Sequence, residues 1–588
     1  KDYQWHYVKT SRAKTSTNRF RKYALAVRRI IDSSLGTVSA TEIDVKSQKL
    51  AQILEEILEG VGNLNFHLTP PQLSPEQLFI AREGLETRLK AEKAAEPPDE
   101  TLIDDIDAAL ELIEQEYGSK IADLSSLLEH EEITFRLLWA LFTPGVDVFS
   151  DDNLLRQPLV SKCYATKYGE DDNTEYFEIE SKILHHNGES FGWGWTTFKV
   201  PRFEGSRKIH SLDAFPFEFH PQHEDVRAVV LERGKKYVNL LEKPVCKQYQ
   251  GFAVIQEEKL VSKVRNRISS DGRIMVDPAA FLSQRPGDDL LLGPRVRQEV
   301  TDIDSLGEGS LMYCHYHILG FAFTTKRWAS FAVSKITDVI WKEDAFDKVL
   351  LSEKKREMIK LLVQSHQADD DAFDDIIKGK GKGLVGLLTG SPGVGKTLTA
   401  EAVAETCRKP LYAISSGELG TSPENVDDRL VMVLDMARRW NCVLLLDEAD
   451  IFLYKRGEAH VERNALVSIF LRRLEYFLGI VILTTNRRQD IDDAFKSRIH
   501  FKFHYPPLDA EGRFMIWKNM LSIIPAQETS HLRDDEIRDL ASRPINGREI
   551  KNTVSCAASI VRWSQKQLTI TLIKDVLELL IDDDPELN

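Results

Sequence analysis

The sharpest chemical signal in the sequence is an eight-residue loop. Gly390-Ser391-Pro392-Gly393-Val394-Gly395-Lys396-Thr397 fits G-x-x-x-x-G-K-S/T, in which glycines let successive backbone N–H groups converge on a phosphate. Lys396 is then placed to reach β- and γ-phosphate oxygens, and Thr397 to offer its hydroxyl to Mg²⁺. An apolar, strand-like run from Leu384 to Leu388 leads in, and a helix-like run from Leu398 to Glu405 leads out. That helix adds the positive end of its dipole at the phosphate.

Two carboxylates follow at a second strand end. Val443-Leu444-Leu445-Leu446 reads as a fully buried parallel strand that delivers Asp447 and Glu448 at its C-terminal edge. Asp447 is expected to hold Mg²⁺ directly or through water, and Glu448 to orient and deprotonate the water that attacks the γ-phosphate. A third apolar run, Ile480 to Thr485, ends in Asn486, which either positions that water or serves as a turn residue. Arg498 closes a helical stretch before the strand-like Ile499 to Tyr505, and by itself reads as a surface charge.

These residues need a scaffold, and 588 residues at roughly 150 per domain predict about four domains. With 42% hydrophobic and 29% charged residues, the chain is excluded from the collagen-like, mucin-like and wholly disordered classes. A net charge of −15 argues against a protein bound along its length to nucleic acid. No apolar run is long enough to span a bilayer. Six cysteines without a C-x-x-C pair predict reduced thiols and an intracellular, cytoplasmic setting. The sequence opens at Lys1 without an initiator Met, as a portion of a longer chain would.

The predicted fold class is multidomain α/β. Residues 1–135 are expected to be helical, with a basic stretch from Lys9 to Arg29 and a helix surface around Tyr23, Leu25, Ile30 and Ile31. Another helix over Leu50 to Leu58 would cap at Gly60. A helical hairpin is expected over 75–130, opened by the capping box Ser74-Pro75-Glu76-Gln77. Residues 136–345 read as a β-rich domain, because period-two patterning runs from Glu175 to Leu260, with a tight turn at Asn187-Gly188 and a long loop from Arg285 to Ser310. His185, His186, His210, His220 and His223 lack the spacing of a metal site. An acidic-then-basic run, Asp369 to Lys382, leads into the phosphate loop. The ATPase core is placed at 346–508 and a helical lid at 509–588.

In their order, these motifs resemble the AAA family of P-loop ATPases over roughly Phe346 to Leu580. Gly390 to Thr397 corresponds to Walker A, Leu444 to Glu448 to Walker B, Leu483-Thr484-Thr485-Asn486 to sensor 1, and Ser497-Arg498 to the arginine finger. The resemblance implies ATP with Mg²⁺, a five-stranded parallel αβα core followed by a helical lid, and assembly into a homo-hexameric ring. Arg498 would reach into the neighbour's site. The loop Ser415 to Ser422 departs from protein-threading relatives in having no aromatic residue. No second arginine follows the finger, so Arg498 would act alone or with Lys502. In Ile545-Asn546-Gly547-Arg548-Glu549-Ile550, which resembles the sensor 2 motif, Arg548 either contacts phosphate from the lid or makes a lid-surface salt bridge. Upstream, Ile133 to Lys235 is similar to the uncharacterised N-terminal region of a group of fungal AAA ATPases, on phrases such as Phe203-Glu204-Gly205-Ser206-Arg207-Lys208-Ile209 and Arg233-Gly234-Lys235-Lys236.

The expected function is Mg²⁺-dependent ATP hydrolysis that remodels a protein client, with Leu398 completing the nucleotide contacts. The alternatives are an ATP-regulated scaffold with little turnover and a nucleic-acid-dependent ATPase, the latter suggested by Asp447-Glu448-Ala449-Asp450.

Overall fold

The computed structural model describes residues 23–31, 38–58, 64–152, 154–171, 174–259, 262–288, 296–300, 302–365, 383–456, 461–487, 491–525, 528–529 and 532–581. The basic stretch from Lys9 to Lys22, Gly60, and the run from Asp369 to Lys382 lie outside them.

The N-terminal region begins differently from the helical expectation. Leu25–Ile31 and Val38–Val45 pair as antiparallel strands, and Gln72–Leu73 adds a third. Arg28 sits directly opposite Glu42 and bonds both Glu42 and Asp44. Such cross-strand pairing, together with the β-branched Val27, Ile30 and Ile31, overrides any helical spacing. Helix Gln48–Ile57 ends with Leu58 as its cap and buries Leu50 and Leu54. The capping box at Ser74 is formed, but the helix it opens breaks after Ile80, and a second begins at Arg82. Glu100–Glu129 then runs as one long helix.

Next comes an antiparallel six-stranded sheet in the order Ala214–Pro216, Asp147–Asp151, Pro158–Asp171, Thr174–His186, Phe191–Pro201, Val296–Glu299. Its last strand lies within the stretch expected to be loop. Helix His223–Asn239 interrupts the stretch from Glu175 to Leu260, expected to be β-rich. Its buried stripe is Val230, Arg233, Gly234 and Tyr237, so an arginine and a glycine stand where apolar residues would have announced a helix. Arg233 is 3% exposed and donates to the carbonyls of Pro158 and Cys314, with burial pulling its pKa down to about 10. A Cβ at Gly234 would lie 1.9 Å from the Leu311 carbonyl oxygen, so only glycine allows this approach.

A second β-sheet closes on itself. Ser262–Val276 pairs with His317–Ala322 on one side and with Val245–Lys259 on the other, and Arg327–Ala332 completes the circuit. This sheet packs directly on the phosphate-loop unit. Phe321 and Trp328 pack against Trp440, with centroids 5.3 and 5.7 Å away. Beside them Asp277, 2% exposed, accepts from Arg439 Nη2, Trp440 Nε1 and the Ala280 N–H, each at 2.9 Å. Asp277→Ala removes a helix cap and strands a buried indole N–H. It is expected to lower stability by about 2–4 kcal/mol, seen as a fall of several degrees in the melting temperature of the full chain. An unchanged melting temperature would show that this contact contributes nothing.

The phosphate-loop unit is a five-stranded parallel sheet in the order Leu411–Ser415, Val443–Asp447, Ile480–Thr485, Leu384–Gly390, Phe501–Tyr505. Fully buried strands read as unbroken apolar runs because helices cover both faces. The strand order reverses around Leu384–Gly390, which opens a crevice beyond the C-terminal strand ends. Four helices follow, Ala510–Leu521, Asp534–Ser542, Gly547–Ser564 and Ile570–Ile581, around a core that includes Trp517 at 0% exposure. Among the described residues no helix is long and apolar enough to cross a membrane.

Candidate functional site

Strand Leu384–Gly390 delivers the loop, and helix Lys396–Thr406 starts from it. The Lys396 ammonium folds back over the loop, donating to the carbonyls of Gly390 at 2.7 Å and Ser391 at 2.8 Å and to Asn486 Oδ1 at 2.8 Å. Burial pulls its pKa below the ordinary lysine value, against the attraction of Asp447 and with Arg548 adding repulsion. Gly393 has φ +76°, and a Cβ there would fall 2.6 Å from Asn546 Oδ1. The missing side chain lets helix Gly547–Ser564 begin on the loop itself, with the Gly547 N–H donating to the Gly393 carbonyl at 3.1 Å.

The neighbouring strands supply the acids. Thr397 Oγ1 donates to Asp447 Oδ2 at 3.3 Å, and Thr484 Oγ1 donates to Asp447 Oδ1. That threonine oxygen also accepts from the Glu448 N–H at 3.1 Å. Glu448 has φ +55°, a left-handed conformation uncommon for a residue with a Cβ, imposed where the chain turns sharply off its strand. Asp450 receives a bond from Thr485, one strand over.

One cavity of about 620 Å³ gathers most of the sequence-predicted residues. Pro392, Gly393, Val394, Gly395, Lys396, Thr397 and Leu398 line it, as do Asp447, Glu448, Asn486 and Arg548. Gly390 and Ser391 instead meet Lys396 through their carbonyls. Arg548 lines the cavity and makes no ion pair among the described residues. Arg498 is elsewhere: it donates to Glu475 at 2.9 Å and to the Ala494 carbonyl at 3.0 Å, outside this cavity.

Sequence reasoning left two parts of the site without a role. Thr484, named only within the sensor 1 run, bonds the Asp447 carboxylate and the Glu448 backbone N–H, and a polar residue near the end of an otherwise apolar strand was the available signal. Ala345, Leu350, Ile516, Met520 and Ile523 supply apolar lining to the cavity. No local motif marks those positions.

Residues 386–507 match the model of the ATPase family associated with various cellular activities (AAA), and residues 123–221 match a domain of unknown function, DUF7025. The ATPase family AAA domain-containing protein FIGL1 of Arabidopsis thaliana is 31% identical over 198 residues, covering 31% of this chain and 28% of that protein. Fidgetin-like protein 1 of Homo sapiens is 28% identical over 176 residues, 28% of this chain and 25% of that protein. The similarity therefore spans less than about a third of this chain and of either relative. A crystal structure of the FIGL-1 AAA domain in complex with ADP superimposes at 20% identity with a TM-score of 0.32, covering 41% of this chain and 86% of that one. Over residues 386–507 the chain is thus similar to the AAA family of ATPases.

Proposed function

We propose that this protein binds ATP in the cavity beyond the parallel sheet and hydrolyses it, with the four C-terminal helices acting as a lid and the subunits forming a homo-hexameric ring. The convergence of Lys396, Thr397, Asp447, Glu448 and Asn486 on one cavity carries the reading. The triphosphate belongs at the loop, where Lys396 exchanges its carbonyl contacts for phosphate oxygens, and Arg548 meets phosphate from the lid. The purine belongs at the apolar end. Thr397 and Asp447 offer adjacent oxygens, the donor type that suits a hard cation, and Mg²⁺ held by them would neutralise phosphate charge. Glu448 takes the proton of the attacking water, and Asn486 orients that water.

Work on a protein client is expected to be directed through the N-terminal domains. In the segment after Leu411–Ser415, where threading relatives carry an aromatic grip, Leu419 is buried and Glu418 is bonded to Lys326 of the closed sheet. Such a segment is poorly placed to seize a polypeptide.

Calorimetry with ATP tests the binding step. Lys396→Ala is expected to raise the ATP dissociation constant by about 10- to 100-fold, because a buried charge-assisted contact to phosphate is lost. Equal affinity in the variant and the parent would place the nucleotide elsewhere.

A further inference from the structure

The wall at the purine end of the cavity does not stand unaided. Residues 341–350 run over the C-terminal half of the phosphate-loop helix, with Phe346 and Val349 buried in the core beneath it. Glu405, near the end of that helix, accepts from the Lys342 N–H at 3.0 Å. Its other carboxylate oxygen accepts from Arg273 Nη2 at 2.6 Å. Arg273 belongs to the closed sheet, and its guanidinium lies 4.2 Å from the centre of the Trp341 ring. The two side chains of the pair are only 21% and 15% exposed, so water screens the bond weakly. A third tie, Arg408 to Glu343 at 2.8 Å, is exposed and weaker. Lys342, Ala345, Leu350 and Glu405 all face the cavity.

We infer that Arg273, a residue of the N-terminal closed sheet, is a positioning residue for nucleotide recognition: through Glu405 and Trp341 it holds residues 341–350 as the wall against which the purine packs. The inference rests on the ATP reading above and adds to it a selective role for a domain far from the phosphate loop in sequence. Arg273 itself is not among the residues that line the cavity. It acts by fixing where the wall stands, so its loss weakens the contacts of the base and leaves those of the phosphates. A partner that only stabilised the fold would weaken both together.

The test compares two probes on the full chain, ATP and inorganic tripolyphosphate, which presents the phosphates without a base. Arg273→Ala is expected to raise the ATP dissociation constant about tenfold and to change that for tripolyphosphate by less than about twofold. In steady state, KM for ATP should rise by more than kcat falls. Glu405→Gln keeps an acceptor for the Lys342 N–H while removing the charge that faces Arg273. It should give the same split, and it replaces the first variant if Arg273→Ala does not fold. Equal weakening of both probes, or of neither, overturns the role of Arg273 and leaves the ATP site intact. Parent protein that binds neither probe overturns the ATP reading and this inference with it.

Discussion

Glu448→Gln is expected to bind ATP with nearly the parent affinity and to turn it over about 10²- to 10⁴-fold more slowly, the range that general-base catalysis contributes. The exchange keeps size and shape, so the cavity and its phosphate contacts persist while the proton acceptor is lost. Two observations support the proposal that Glu448, and not its neighbour, acts as the base. Asp447 is occupied by Thr397 on one oxygen and Thr484 on the other. Glu448 lines the same cavity, is held at its backbone by Thr484, and has a left-handed conformation that costs about 1–3 kcal/mol and turns it off the strand axis. Phosphate release measured beside equilibrium binding of a fluorescent ATP analogue checks the prediction. Turnover within about twofold of the parent would remove Glu448 from the chemistry.

The acids and the loop were legible because each is a local event. A buried parallel strand is an unbroken apolar run, and its end is marked by the first polar residues, as at Thr389, Asp447 and Thr484. What lay beyond reach was set by contacts between distant parts of the chain. Arg273 and Glu405 are 132 positions apart, and nothing near either one names the other. Arg233 and Gly234 erased the apolar stripe of their helix because the core there needs a buried guanidinium and a close backbone contact. At Leu25–Ile31, β-branched residues fit either element until a partner strand decides. The purine wall illustrates the same limit. Ala345 and Ile516 are ordinary apolar residues, far apart in sequence, whose significance comes only from lining one cavity.

Arg498→Ala is expected to reduce turnover by about 10³-fold or more while leaving the subunit's own nucleotide pocket intact, since arginine fingers supply effects of that size. Within one subunit Arg498 already has partners. Its guanidinium is anchored by Glu475 and the Ala494 carbonyl, and its Nε is buried without a partner among the described residues. It is 31% exposed at the side chain and outside the cavity, a placement that suits contact with a neighbour's phosphate in the proposed ring. Glu475 holds it in one orientation before assembly, which lowers the entropy lost on reaching a neighbour's nucleotide. Mixing distinguishes this arrangement from action within one chain. Homo-oligomers of Arg498→Ala and of Glu448→Gln are each expected to retain only the small residual turnover given above. In a mixed ring, a site from an Arg498→Ala subunit can face the intact arginine of a Glu448→Gln neighbour, and random mixing creates about one such interface in four. Mixtures should therefore recover ATPase activity that neither variant has alone. Silent mixtures whose co-assembly has been verified by native mass measurement would mean that Arg498 does not act across the interface.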